Sequence, residues 1–191
     1  MFTCHLDSCT NRYQKVNHVM DDRWIKTDGS TILGADDKAG MTVLLYMMEK
    51  NIPGLYYFFV GEEVGGVGSC ALSIHRDFSR YKMCVSFDRR GYTSVITEQM
   101  FGPCCSSRFA LALSTALNNT NPGFNFAPDP AGIFTDSIFF MDSIPECTNI
   151  SVGYFAEHGT DECQDIVFLE ALCRSVVEVN WSSLPVERKL K

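Results

Sequence analysis

Apolar residues along the 191-residue chain fall into two kinds of stretch. Short, nearly continuous runs read as buried strands: residues 1–7 (MFTCHLD), 55–60 (LYYFFV), 81–88 (YKMCVSFD), 93–98 (TSVITE) and 148–154 (TNISVGY). Longer stretches with an apolar face read as helices: residues 36–51, where Leu44, Leu45, Met47 and Met48 supply that face, then 69–75, 106–119 and 164–181. Residues 16–34 contain Asp28-Gly29, a hairpin signal. Strands alternating with helices predict an α/β fold with a mostly parallel central sheet flanked by helices. The length suits one domain over residues 1–191 with no inserted satellite.

In such sheets ligands bind beyond the carboxyl ends of the strands, and the polar residues collect there. His5 and Asp7 end the first run, and Glu62 and Glu63 follow Gly61 after the second. Asp88 ends the third, His158 follows the last, and Asp36 and Asp37 open the first helix. Carboxylates gathered at one rim repel one another unless something positive sits among them. A pair of divalent cations would do so. Imidazole with carboxylate oxygen suits zinc, and less selectively cobalt or manganese. Two such metals about 3.5–4 Å apart are an apparatus for hydrolysing amide or phosphate bonds. Two histidines and no cysteine ligand point to a catalytic rather than a structural site.

The motifs HLDS, LGADDKAG, GEEVGG, SFD and SVGYFAEHGTDE, in this order, resemble the co-catalytic di-zinc exopeptidases. That superfamily includes bacterial leucyl aminopeptidases, peptidase T, glutamyl aminopeptidases and the carboxypeptidase G type. GADDKAG is most like peptidase T, while the short spacings from His5 to Asp36 and from Asp88 to His158 are like the compact aminopeptidases without an inserted domain. The resemblance implies one metal held by His5, Asp36 and Asp88, and another held by Asp36, Glu63 and His158. Asp36 would bridge the two, and Asp7 would orient a ligand from behind. Glu62 would be the general base, taking a proton from the attacking water and returning it to the leaving amine. Relatives often carry a cis peptide after the bridging aspartate, here Asp36–Asp37. They also carry further N-terminal elements ahead of the first ligand. Their lack here implies an exposed sheet edge, covered by another subunit or a partner chain.

The implied activity is removal of N-terminal residues from short peptides. A deacylase or dipeptidase of the same superfamily, or a catalytically silent metal-binding module, remains as the alternative. Plainer readings stand beside the site readings: helix capping for Asp36 and Asp37, a solvated turn for Glu62 and Glu63, and an ion pair with Arg89 or Arg90 for Asp88. Either arginine could instead receive a substrate carboxylate. Tyr154 packs, with its hydroxyl satisfied nearby, or helps hold a tetrahedral intermediate. His18 and His75 match no motif.

Composition narrows the partners. A net charge of −7 disfavours a nucleic-acid backbone, and the basic stretch at 187–191 reads as a solvated tail. No apolar run approaches the roughly 18–20 residues of a membrane span, and residues 1–10 lack the pattern of a signal peptide. The nine cysteines form no Cys-x-x-Cys pair and read as small buried hydrophobes, with Cys104-Cys105 reduced. That usage implies a cytoplasmic protein.

Overall fold

The computed structural model describes residues 1–10 and 14–190; Lys191, the end of the basic stretch, lies outside them. In chain order the elements begin with β1 (Phe2–His5), β2 (His18–Met20), β3 (Trp24–Thr27), α1 (Ala35–Glu49), β4 (Tyr56–Phe59) and α2 (Val67–His75). There follow β5 (Met83–Arg89), β6 (Ser94–Ile96), β7 (Glu98–Gln99), β8 (Gly102–Pro103) and α3 (Ser107–Thr120). The last are β9 (Ala127–Asp129), a 3-10 turn at Asp136–Phe140, β10 (Glu146–Ser151), β11 (Tyr154–Phe155), β12 (Cys163–Asp165), α4 (Ile166–Val176) and a second 3-10 turn at Trp181–Ser183.

The central sheet has the order β4-β1-β5-β10-β6-β9. β4, β1, β5 and β10 run parallel, and β6 pairs antiparallel to β10. This is the mainly parallel α/β fold that the alternation predicts. The period-two pleat splits β5 between two cores. Val85 and Phe87 join Phe2, Cys4 and the apolar faces of α1, α3 and α4. Cys84 points the other way, to Phe59, Phe78, Phe140 and Leu72. Both faces are therefore covered, as a parallel sheet requires.

Two local expectations need correction. Asp28-Gly29 is not the hairpin turn: β2 pairs β3 with Met20 opposite Ile25, so the chain reverses at residues 21–24. There the Asp21 carboxylate accepts from the backbone N–H groups of Arg23 and Trp24, which gives an aspartate turn the role assigned to a glycine turn. The closing helix is also shorter than residues 164–181: residues 163–165 are drawn into β12 at its start, and it ends at Val176. β12 builds a second, antiparallel sheet of order β11-β12-β3-β2 beside the strand ends of the first.

A candidate metal centre at the strand ends

Parallel strands bring their carboxyl ends to one rim. His5 ends β1, Glu62 and Glu63 follow β4, and Asp88 lies near the end of β5. Asp36 sits at the start of α1, where Asp36 and Asp37 are non-helical and joined by a cis peptide bond. His158 lies in the loop between β11 and β12, with φ +66°.

Asp36 stands between the two histidines. Its Oδ1 is 2.9 Å from His5 Nε2 and its Oδ2 is 3.2 Å from His158 Nε2. His5 Nε2 is also 3.5 Å from Asp88 Oδ1, and His158 Nε2 is 3.0 Å from Glu63 Oε2. One carboxylate thus faces two groups of donors with one oxygen each. The plainer ion-pair reading of Asp88 fails, since Arg90 pairs with Glu157 and Arg89 donates to the Ala131 carbonyl.

Asp37 serves the backbone. Its Oδ2 accepts from His5 N at 3.1 Å and its Oδ1 from Gly40 N at 2.9 Å. Gly40 must be glycine here, because a Cβ would lie 2.1 Å from the Phe87 carbonyl oxygen. His5 Nδ1 lies 3.1 Å from the Asp7 backbone carbonyl and 3.6 Å from the Asp7 carboxylate. The Asp7 carboxylate also accepts from the N–H groups of Gly61, Glu62 and Glu63 at 2.9–3.3 Å, and so sets the pose of the two glutamates.

Thr135 and Asn149 carried no sequence signal of their own, whereas Tyr154 and Glu162 lie within the SVGYFAEHGTDE motif. Glu162, 1% exposed, accepts from Gly34 N and Asp36 N with its two oxygens. Thr135 donates to Asp88 Oδ2 at 2.7 Å, and the Tyr154 hydroxyl donates to Asp88 at 3.2 Å, so Tyr154 supports a carboxylate. Asn149 exchanges hydrogen bonds with the Asp88 backbone. Asn149 and Tyr154 lie within strands and Thr135 and Glu162 in loops, and the fold sets each against the site.

The electrostatics match a site built for cations. Burial first, and then the charge of Asp88, pushes the Glu62 carboxyl up to about 9. Burial likewise raises Asp36, Asp37 and Glu63. For His5, burial opposes the charge, but the hydrogen bonds to Asp36 and Asp88 outweigh it and raise the imidazole far above its usual range. Asp136, 1% exposed, is pushed up to about 7 chiefly by burial, and its Oδ1 has no hydrogen-bond partner. Glu63 Oε1 is buried and unpartnered too. Orphaned buried carboxylate oxygens beside imidazole nitrogens are what divalent cations would satisfy, so the donor set fits the implied metals.

A stability prediction follows for the metal-free protein. A carboxyl whose folded pKa lies above its ordinary value stabilises the fold only while protonated. That contribution is complete below the ordinary values of 3.8 for Asp136 and 4.5 for Glu62, and is lost as pH rises through about 7 and about 9. Thermal unfolding in chelator should therefore show Tm falling between pH 5 and 9, each 1 kcal/mol lost lowering it by about 2–4 °C for a chain of this length. Added zinc should flatten the profile. A Tm independent of pH in chelator would remove this account of the acids.

The cleft around these residues has a volume of about 480 Å³. Glu62, Asp88, Tyr154, Glu157 and His158 line it, together with Met100, Ile133 and Phe134. No helix among the described residues is long and apolar enough to cross a membrane.

No family model matches the chain. A 78-residue stretch is 42% identical to the uncharacterized protein YqjE of Bacillus subtilis (strain 168), and the match spans 37% of this chain and 21% of that one. Among solved structures, the fold superposes on aminopeptidase PepT from Bacillus cereus ATCC 10987 with a TM-score of 0.70 and 17% identity, over 93% of this chain and 78% of that one. A tripeptidase from Staphylococcus aureus subsp. aureus Mu50 gives a TM-score of 0.73 at 17% identity over the same shares. The Pyrococcus horikoshii TET1 peptidase, which can assemble into a tetrahedron or a large octahedral shell, gives 0.62 at 18% identity, over 86% of this chain and 52% of that one.

Proposed function

We propose that this chain, which has the fold of the co-catalytic zinc exopeptidases, is a di-metal exopeptidase that releases N-terminal residues from short peptides. The observation that carries the reading is the Asp36 carboxylate, one oxygen on the His5 group and the other on the His158 group. His5, Asp36 and Asp88 would hold one cation, and Asp36, Glu63 and His158 the other. When bound, the cations, zinc first among them, would polarise the scissile carbonyl and make water a nucleophile near neutral pH.

The chain's own residues do the rest. Glu62 lines the cleft and is not among the metal-holding residues. Its carboxylate takes the proton of the attacking water and returns it to the departing amine. Asp7 fixes the Glu62 backbone, so the base is held rather than searching. Glu157, also on the cleft wall, has one buried oxygen without a partner, which suits a substrate ammonium. Met100, Ile133 and Phe134 offer an apolar wall to the first side chain.

The TET1 peptidase assembles into shells, and β4 is an edge strand of the central sheet. A homo-oligomer that covers this edge is part of the proposal, as is one catalytic domain in a cytoplasmic setting.

A panel of aminoacyl anilides against N-acyl amino acids, run on protein of measured metal content, tests the reading. We expect turnover of free-amine substrates, leucyl and methionyl first, and at least about tenfold less for the acylated ones. Preference for N-acyl amino acids would make the protein a deacylase. Two bound metals with no hydrolysis of any peptide would make it a binding module.

A further inference from the structure

The cysteines were expected to be buried, and Cys9 is the exception. Six are buried, Cys70 and Cys163 are half-buried, and Cys9 is exposed. Its Sγ, a carboxylate oxygen of Glu63 and a ring nitrogen of His158 all lie within 4.8 Å of one another. Ligand atoms about 2.0–2.3 Å from a tetrahedral zinc stand roughly 3.3–3.8 Å apart, so small side-chain rotations would let these three share one ion.

The segment that carries Cys9 is fixed in place. Leu6 N donates to the Phe59 carbonyl at 2.8 Å, and Lys38 Nζ donates to the Leu6 carbonyl at 3.0 Å. Asp7, two residues before Cys9, is tied to the backbone of Gly61, Glu62 and Glu63. The backbone that leads into Cys9 is thus anchored at Leu6 and Asp7 to the same turn that carries Glu63. Glu63 points to a ligand independently of the cysteine. Its side chain is 9% exposed and Oε2 faces His158, yet its buried Oε1 has no partner.

We propose that Cys9 supplies a thiolate ligand to the cation held by Glu63, His158 and Asp36, an inference that rests on the di-metal reading above. As the metal–sulfur bond forms, the thiol proton is released to solvent. The two metal positions then differ in kind. The position at Glu63 has four protein donors including sulfur, which favours zinc over manganese or magnesium. The position at His5 and Asp88 has three nitrogen and oxygen donors and keeps the open place that catalysis needs.

The test is zinc-edge X-ray absorption on the full chain loaded with two equivalents of zinc, for the wild type, Cys9→Ala and Cys9→Ser. We expect a sulfur shell at about 2.3 Å in the wild type and its loss in both variants. Alkylation read by mass spectrometry gives a second measure: iodoacetamide should modify Cys9 in metal-free protein and be blocked from it by zinc. Two zinc ions with only nitrogen and oxygen shells, a sulfur shell that survives Cys9→Ala, or Cys9 alkylated equally with and without zinc would each overturn the inference. All three leave the di-metal reading standing. A wild type that retains no zinc would overturn both.

Discussion

Glu62→Gln is expected to abolish turnover while both cations stay bound. The substitution keeps the size and polarity of the side chain and removes only its ability to carry a proton. The backbone around it is held by Asp7, whose carboxylate bonds do not involve the Glu62 side chain. Proton transfer by a positioned side chain contributes about 10²–10⁴-fold, so kcat should fall by that factor with KM little changed. Metal content and kcat measured on the same preparation check it. If the variant kept more than a tenth of wild-type kcat, Glu62 would not be the proton carrier. The prediction separates two adjacent residues of one type. Glu63 faces His158, whereas Glu62 lines the cleft with its carboxyl raised to about 9 by burial and by Asp88. Bound cations oppose that shift and return Glu62 toward the ionised form that a base requires.

Asp36→Ala should weaken both metal positions at once. Its two oxygens lie 2.9 Å from His5 and 3.2 Å from His158, and among the described residues it is the carboxylate that lies within 4.0 Å of both rings. Loss of a residue that merely supports a ligand costs about 10–100-fold in metal affinity. Loss of the shared ligand should exceed about 100-fold for each ion, read by chelator competition. Glu63→Gln should weaken one ion only. If Asp36→Ala lost one ion and held the other at wild-type affinity, Asp36 would not be the bridge. In the metal-free protein burial and the charge of Asp88 act against the Asp36 carboxylate, and its buried hydrogen bond to His5 acts for it, so Tm in chelator is measured beside the affinity to separate lost binding from lost folding.

The sequence by itself determined the order of the elements and the rim on which the chemistry lies. Apolar runs of strand length ended in His5, Glu62-Glu63 and Asp88, and parallel strands must bring such ends together. It also marked Asp36 and His158, because each sits in a short motif with its own spacing. Tertiary structure alone decided the rest. Thr135, Asp136 and Asn149 reach the site through strand register and loop return, contacts between residues tens of positions apart that no local pattern encodes. Of the second sheet only a hairpin within residues 16–34 was signalled, since its strands are two to four residues long and too short to show a period. The turn at Asp21 displaced the stronger Asp-Gly signal because side-chain acceptance at residues 21–24 satisfied the register that β2 and β3 adopt. Cys9 shows the same limit in one side chain. Composition made it one more small hydrophobe, and only the placement of its loop beside Glu63 and His158 gave the sulfur something to bind.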